Sequence, residues 1–152
     1  HLESKVLGVY ANEQMRQEMI AITDGQLPLY PAGSQIKASA VLCTAGTISL
    51  TVALAQIPAA ILYKTDPLTY AFGRSVYKLP YLGMPNILLK RPLIEEFIQE
   101  NATPRHLEAQ LVRLKTDPVQ IMMARQGAED LKELLSHPTK RTAPEWAAGG
   151  LI

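Results

Sequence analysis

The chain has 152 residues, 47% of them hydrophobic and 19% charged, a balance that suits one ordinary globular domain and excludes a disordered chain. Its net charge of +1 excludes a globally basic nucleic-acid binder. Its single cysteine, Cys43, excludes an internal disulfide and fits a reducing compartment, and no apolar run is long enough to mark a membrane-spanning helix.

Lys5 to Ala11 (KVLGVYA) reads as a short buried strand. Glu13 to Ile22 reads as a helix with Met15, Met19 and Ile22 on one face, ended by Asp24-Gly25. Leu27 to Tyr30 is a candidate strand closed by Pro31. Ala40 to Thr44 is the next apolar run, broken at Ala45-Gly46 before a helical pattern from Thr47 to Gln56. Ala59 to Tyr63 (AAILY) is a further strand. Strand, short loop, helix and strand in that order, with strands apolar throughout, predict a parallel α/β sheet covered by helices.

Pro67 suits the first turn of a helix running to about Lys78. Pro80 to Leu89 reads as extended chain or loop, and Pro92 as the opening of a helix through Gln99. Thr103-Pro104 and Asp117-Pro118 are both helix starts, an N-cap residue followed by proline. The first of these helices carries Leu107, Leu111 and Leu114 on one face, and the second runs to about Leu135. Residues 138–144 read as a linker and Glu145 to Ile152 as a last short helix. The chain opens on His1 and enters a strand-like run almost at once, which reads as a fragment of a longer protein.

Four constellations bear on chemistry. Thr44-Ala45-Gly46-Thr47 joins a strand to a helix. The plain reading is an ordinary turn; the functional one is an anion site, because a helix N-terminus offers unpaired N–H groups and the positive end of its dipole. Asn86, after Pro85, is a loop asparagine whose plain reading is a turn former. Residues 64–91 hold Lys64, Arg74, Lys78, Lys90 and Arg91 against Asp66, a local balance of +4, interleaved with Tyr70, Phe72, Tyr77 and Tyr81. That stretch reads as a core-facing helix with solvated bases, or as a surface that docks on an anionic membrane through Lys64, Arg74, Tyr77 and Lys78. Glu95-Glu96 with Gln99 reads as a helical polar face turned to solvent. His1, His106 and His137 are far apart, and no cysteine or histidine cluster has metal-ligand spacing.

The stretch 63–104 resembles lipid-A-disaccharide synthase, a glycosyltransferase family of two Rossmann domains. The matching pieces are Tyr63-Lys64, Pro67-Leu68-Thr69, Arg74, Pro80-Tyr81, Pro85-Asn86, Arg91, Glu96 to Gln99 and Thr103-Pro104. Ala45-Gly46-Thr47 stands where the family has Ser-Gly-Thr, and the resemblance runs from about residue 30 to residue 117. It implies a Rossmann-like parallel sheet with flanking helices, the C-terminal donor domain of a two-domain enzyme, incomplete at its N-terminal edge. Residues 1–137 would form that domain.

The implied reaction moves 2,3-diacylglucosamine from UDP to 2,3-diacylglucosamine 1-phosphate, without a cofactor, at the cytoplasmic side of the inner membrane of a Gram-negative bacterium. A homodimer is compatible with it. The resemblance implies that Gly46 and Thr47 face the donor diphosphate, that Asn86 contacts the phosphate region, and that Glu96 and Gln99 lie near the donor pocket. It places the catalytic base in an N-terminal domain outside these residues, so the fragment alone is expected to be inactive. Three departures weaken the match, one of them Ser39 in place of the family's usual aspartate at the strand start. Thr51 stands where many enzymes of this architecture have a ribose-binding glutamate, and Ala45 removes a hydroxyl. The rival readings are another UDP-sugar enzyme of the same fold, such as a UDP-N-acetylglucosamine epimerase or a peptidoglycan transferase, and a non-catalytic nucleotide-binding module.

Overall fold

Short apolar strands alternating with helices leave the backbone one economical solution, parallel pairing with each helix as the crossover. The computed structural model describes residues 5–66 and 80–136 and adopts that solution in two compact units, His1–Lys37 and Ala38–Ile152. The expected helix from Pro67, the linker from residue 138 and the last helix lie outside the described residues.

In the first unit β1 (Gly8–Tyr10) pairs in parallel with β2 (Leu29–Pro31), Gly8 opposite Leu29 and Tyr10 opposite Pro31. Helix α1 (Glu13–Thr23) connects them. Asn12 caps it, its side-chain oxygen accepting the Met15 N–H at 2.8 Å. Asp24 in the left-handed region and Gly25 at φ 69° end it, with the Gly25 N–H donating to the Ile20 carbonyl. Both strands are shorter than their apolar runs. Of the expected helical stripe, Met19 packs close to Gly8, whereas Ile22 is 83% exposed within this unit.

The second unit is a three-stranded parallel sheet in the order β3–β4–β5: β3 (Val41–Thr44), β4 (Ala59–Tyr63) and β5 (Glu95–Ile98). Val41 pairs with Ala59, and Ala60 with Glu95. Helix α2 (Thr47–Leu54) crosses from β3 to β4 and ends where Gln56 turns left-handed ahead of Pro58. Helix α3 (Met84–Leu89) precedes β5, and a 3-10 turn (Gln99–Asn101) follows it. Helices α4 (Pro104–Thr116) and α5 (Pro118–Ser136) complete the unit. The Thr103 hydroxyl accepts the His106 N–H at 3.2 Å, and the Asp117 carboxylate accepts the Val119 N–H at 2.9 Å, as both X-Pro starts predict. Leu114 of the expected leucine face is buried, and Leu107 and Leu111 are half-buried.

The core lies among β3, β4, α2 and α5, with Cys43, Val52, Ala53, Ala59, Ile61, Ile94 and Leu131 as its buried members. Burial pushes the Cys43 thiol up to about 11, so it stays protonated and packs as a small hydrophobe. Arg91, ahead of β5, pairs with Asp130 on α5 and ties the sheet to that helix.

Two expectations are corrected. Residues 95–98, read as part of a helix opened by Pro92, form the edge strand β5. Pairing with β4 and the β-preferring Phe97 and Ile98 override the helix propensity of two glutamates. Residues 84–89, read as loop, form α3, because Pro85 falls in the first turn, where a missing N–H costs nothing.

Helix α5 lies close to Leu93, and Gly127 makes the approach feasible. A β-carbon on Gly127 would stand 2.2 Å from Leu93 Cδ1 and 2.9 Å from its Cγ. Replacing a mid-helix glycine with alanine gains about 1 kcal/mol of propensity, but overpacking of this kind costs about 1–3 kcal/mol. Gly127→Ala is therefore expected to lower stability in urea titration with an unchanged m-value, the opposite of what helix propensity alone predicts.

Candidate functional site

Three parallel strands in register bring their carboxyl ends, Thr44, Tyr63 and Ile98, to one edge of the sheet. In open α/β sheets that edge is where ligands sit, because crossover helices begin there and turn their N-termini toward it.

The first turn on this edge leads from β3 into α2. Gly46 is the N-cap, at φ 113° and ψ −160°, a conformation essentially reserved for glycine, and no side chain caps the helix. The Gly46 carbonyl accepts both the Ser49 hydroxyl at 2.6 Å and the Ser49 N–H at 3.2 Å. Ser49 is fully buried, so this bond pins the turn from inside. Thr44, Thr47 and Thr51 are exposed. The Thr51 hydroxyl donates to the Thr47 carbonyl at 3.2 Å, one turn back along the helix. The turn thus presents main-chain N–H groups and two hydroxyls of one helix face to solvent, which is a geometry suited to an anion.

The other expected residues are gathered by β5. Asn86, on α3, has no exposed surface. Its amide nitrogen donates to the Ile94 carbonyl and to Glu96 Oε1, both at 2.7 Å. Its amide oxygen accepts the N–H groups of Leu93 and Ile94, both at 2.9 Å. Glu96 stands on a half-buried strand position. Its Oε2 accepts the Leu82 N–H and its Oε1 the Gly83 N–H, each at 2.9 Å. Gly83 lets this turn approach the core closely: a β-carbon there would lie 2.3 Å from Ile61 Cδ1, so any side chain would make that buried methyl group shift. Gln99, in the 3-10 turn, grips one residue twice: Oε1 accepts the Thr65 N–H at 2.9 Å and Nε2 donates to the Thr65 carbonyl at 3.0 Å.

The glutamates are therefore not a helical polar face: Glu95 is exposed, while Glu96 turns to the protein's own backbone. Asn86 itself has no accessible surface, and both the donor and the acceptor side of its amide are bonded within the protein. Its place is behind the edge, supporting it. Lys64, just past the end of β4, is exposed on that edge. Arg74, Tyr77 and Lys78 lie outside the described residues. Among the described residues, no three histidines, cysteines or acids gather to hold a metal ion, and no helix is long and apolar enough to cross a membrane.

Sequence reasoning missed Ser49, the one polar side chain on the buried face of an apolar helix, which is itself the signal that could have found it. It also missed the backbone partners Thr65, Leu82 and Gly83, for which no signal existed.

Truncating Asn86 takes the partner from the buried N–H and carbonyl of Ile94 and leaves the Leu93 N–H only its bond to the Arg91 carbonyl. An unsatisfied buried polar group costs about 1–3 kcal/mol, so Asn86→Ala is expected to lose about 3 kcal/mol in chemical denaturation. Asn86→Asp keeps the acceptor side but turns a carboxylate toward Glu96, and is expected to be no better.

The sequence profile of a family described as lipid-A-disaccharide synthetase matches residues 11–148, a longer span than the stretch 30–117 singled out above. Lipid-A-disaccharide synthase of Neisseria meningitidis is 40% identical over 102 residues, 67% of this chain and 27% of that protein. The enzyme of the same name from Chromobacterium violaceum is 44% identical over 84 residues, 55% of this chain and 22% of that protein. That from Gluconobacter oxydans is 32% identical over 111 residues, 73% of this chain and 27% of that protein. The chain spans about a quarter of the length of the relatives it matches. Family profile, parallel sheet and carboxyl-edge turn converge: this chain belongs to the lipid-A-disaccharide synthase family.

Proposed function

We propose that this chain is the donor-binding part of a glycosyltransferase that builds the lipid A disaccharide. The reaction joins 2,3-diacylglucosamine, carried on UDP, to the 6-hydroxyl of 2,3-diacylglucosamine 1-phosphate. The acceptor oxygen attacks the anomeric carbon, the bond to the UDP oxygen breaks, and the proton of the attacking hydroxyl passes to a base.

One observation carries the reading: a family member presents, at the carboxyl edge of its parallel sheet, an uncapped helix start behind Gly46. Breaking the bond to UDP leaves negative charge on the diphosphate. Donors fixed before the reaction stabilise such charge without reorganising. The N–H groups at the start of α2 and the Thr47 hydroxyl are such donors, and Thr51 stands one turn further along for the ribose. Asn86, Glu96 and Gln99 act from behind. Their carboxylate and amides are spent on the fold, so the base comes from elsewhere in the enzyme.

The substrates carry acyl chains, so the enzyme works at a membrane surface, which in this reading is the cytoplasmic face of the inner membrane. Lys64, exposed beside the site, is suited to the anionic surface there.

Titration with UDP, with ADP as control, tests the reading by amide NMR. UDP is expected to shift Gly46, Thr47 and Thr51 selectively, and a well-dispersed spectrum that UDP leaves unmoved would sink it. Gly46→Ala forces an L-residue into a conformation that costs about 1–3 kcal/mol of strain, and is expected to weaken UDP binding about tenfold or more.

A further inference from the structure

Glu96 and Gln99 are three residues apart, one on β5 and one in the turn that follows, yet both point at backbone rather than at open space. Together they make four hydrogen bonds to main-chain groups, at Leu82, at Gly83 and twice at Thr65. Thr65 follows β4, and Leu82 and Gly83 lead into α3. One short stretch at the end of the edge strand therefore holds both Thr65, just after β4, and Leu82-Gly83, just before α3.

We propose that Glu96 and Gln99 are positioning residues, clamps that fix Thr65 after β4 and Leu82-Gly83 before α3 at the carboxyl edge beside the Gly46–Thr47 turn, and that neither touches the nucleotide. The inference rests on the donor-site reading above and deepens it.

Three features support it. First, each clamp is complete. The Glu96 carboxylate is met by two backbone N–H groups and by the Asn86 amide, and the Gln99 amide uses both its donor and its acceptor on one residue. A side chain so engaged would have to break its bonds to become a ligand. Second, Gln99 sits at φ 51°, a left-handed conformation that is costly for a residue with a side chain. Such strain persists only where the surroundings impose it, and here the grip on Thr65 aims the side chain. Third, the approach is close on the far side, since a β-carbon on Gly83 would lie 3.2 Å from Glu96 Oε1 and 2.3 Å from Ile61 Cδ1. Because β3, β4 and β5 are in register, Thr65 leaves the sheet between the Gly46 turn and Gln99. Whatever fixes Thr65 fixes the wall next to the anion site.

Two variants and two readouts test the proposal on the intact chain. Gln99→Gly removes the clamp on Thr65 while relieving the left-handed backbone, so the fold is expected to hold. Glu96→Gln replaces one of two acceptor oxygens with an amide NH2, a donor that would face the Leu82 or the Gly83 N–H. Without ligand, amide hydrogen exchange is expected to show Thr65, Leu82 and Gly83 protected in the parent. Thr65 should lose protection in Gln99→Gly, and Leu82 or Gly83 in Glu96→Gln, with core amides such as Ile61 unchanged. With UDP, each variant is expected to bind about tenfold more weakly, the size of the loss of ordinary net hydrogen bonds. The Gln99 side-chain amide signal of the parent should not move.

Unchanged exchange, unchanged affinity in a folded variant, or a UDP-induced shift of the Gln99 side chain would each overturn the proposal. Absence of UDP shifts in the parent would sink the donor-site reading alone, and the clamps would then stand or fall on the exchange of the three amides.

Discussion

The carboxyl edge of this sheet depends on a single buried amide. Asn86 lies where α3, the chain ahead of β5 and β5 itself meet, and its amide bonds to Leu93, Ile94 and Glu96 together. β5 is an edge strand of four residues with two glutamates, paired on one side with β4. Such a strand has little propensity and little apolar area to hold it. Asn86 supplies what pairing does not: it accepts the N–H groups of Leu93 and Ile94 as the strand begins, and steadies the carboxylate of Glu96 inside it. Buried polar groups of this kind are worth little net free energy when satisfied and cost much when broken. Their main contribution is register, and register decides which way Glu96 points.

The opposite wall of the site is organised by apolar packing. Helix α2 is apolar on nearly every side, and Val52 and Ala53 bury it against the core. Ser49 on that buried face gives its hydroxyl to the Gly46 carbonyl, so the turn is set by the depth at which the helix packs. Gly46 then needs a backbone geometry that only glycine tolerates. A chain of cause runs from core to helix, from helix to Ser49, and from Ser49 to the exposed N-terminus. The two walls thus rest on different physics, a polar knot on one side and a hydrophobic anchor on the other.

The elements legible in the sequence are those whose local signals agree with their tertiary role. Ala59 to Tyr63 is apolar throughout and is strand from end to end. Thr103-Pro104 and Asp117-Pro118 start helices because a cap and a proline both favour that conformation before any packing occurs. β5 was not legible because its glutamates favour helix, and only pairing with β4 and the polar partners of Glu96 reverse that preference. α3 was not legible because two prolines and a glycine within six residues ordinarily break structure, while the burial of Asn86 that anchors it is a long-range fact. The resemblance marked Asn86, Glu96 and Gln99 as residues that matter, but a motif does not say whether a side chain faces a ligand or its own backbone. That distinction lies in geometry.

Thr51 shows how far such geometry reaches. Its hydroxyl has one proton, and that proton is already directed to the Thr47 carbonyl. What remains is acceptor capacity, which a ribose hydroxyl can use as a donor. A carboxylate at the same position would offer two charged oxygens and bonds roughly twice as strong. In the proposed donor site, a nucleotide held at this turn therefore owes less of its affinity to the ribose and more to the diphosphate at the helix N-terminus and to the order of the neighbouring wall. The weaker the direct ribose contact, the more the site depends on groups that never touch the ligand, because a poorly gripped donor is placed by the shape of its surroundings. In the donor site proposed for this chain, that burden falls on Asn86, Glu96 and Gln99.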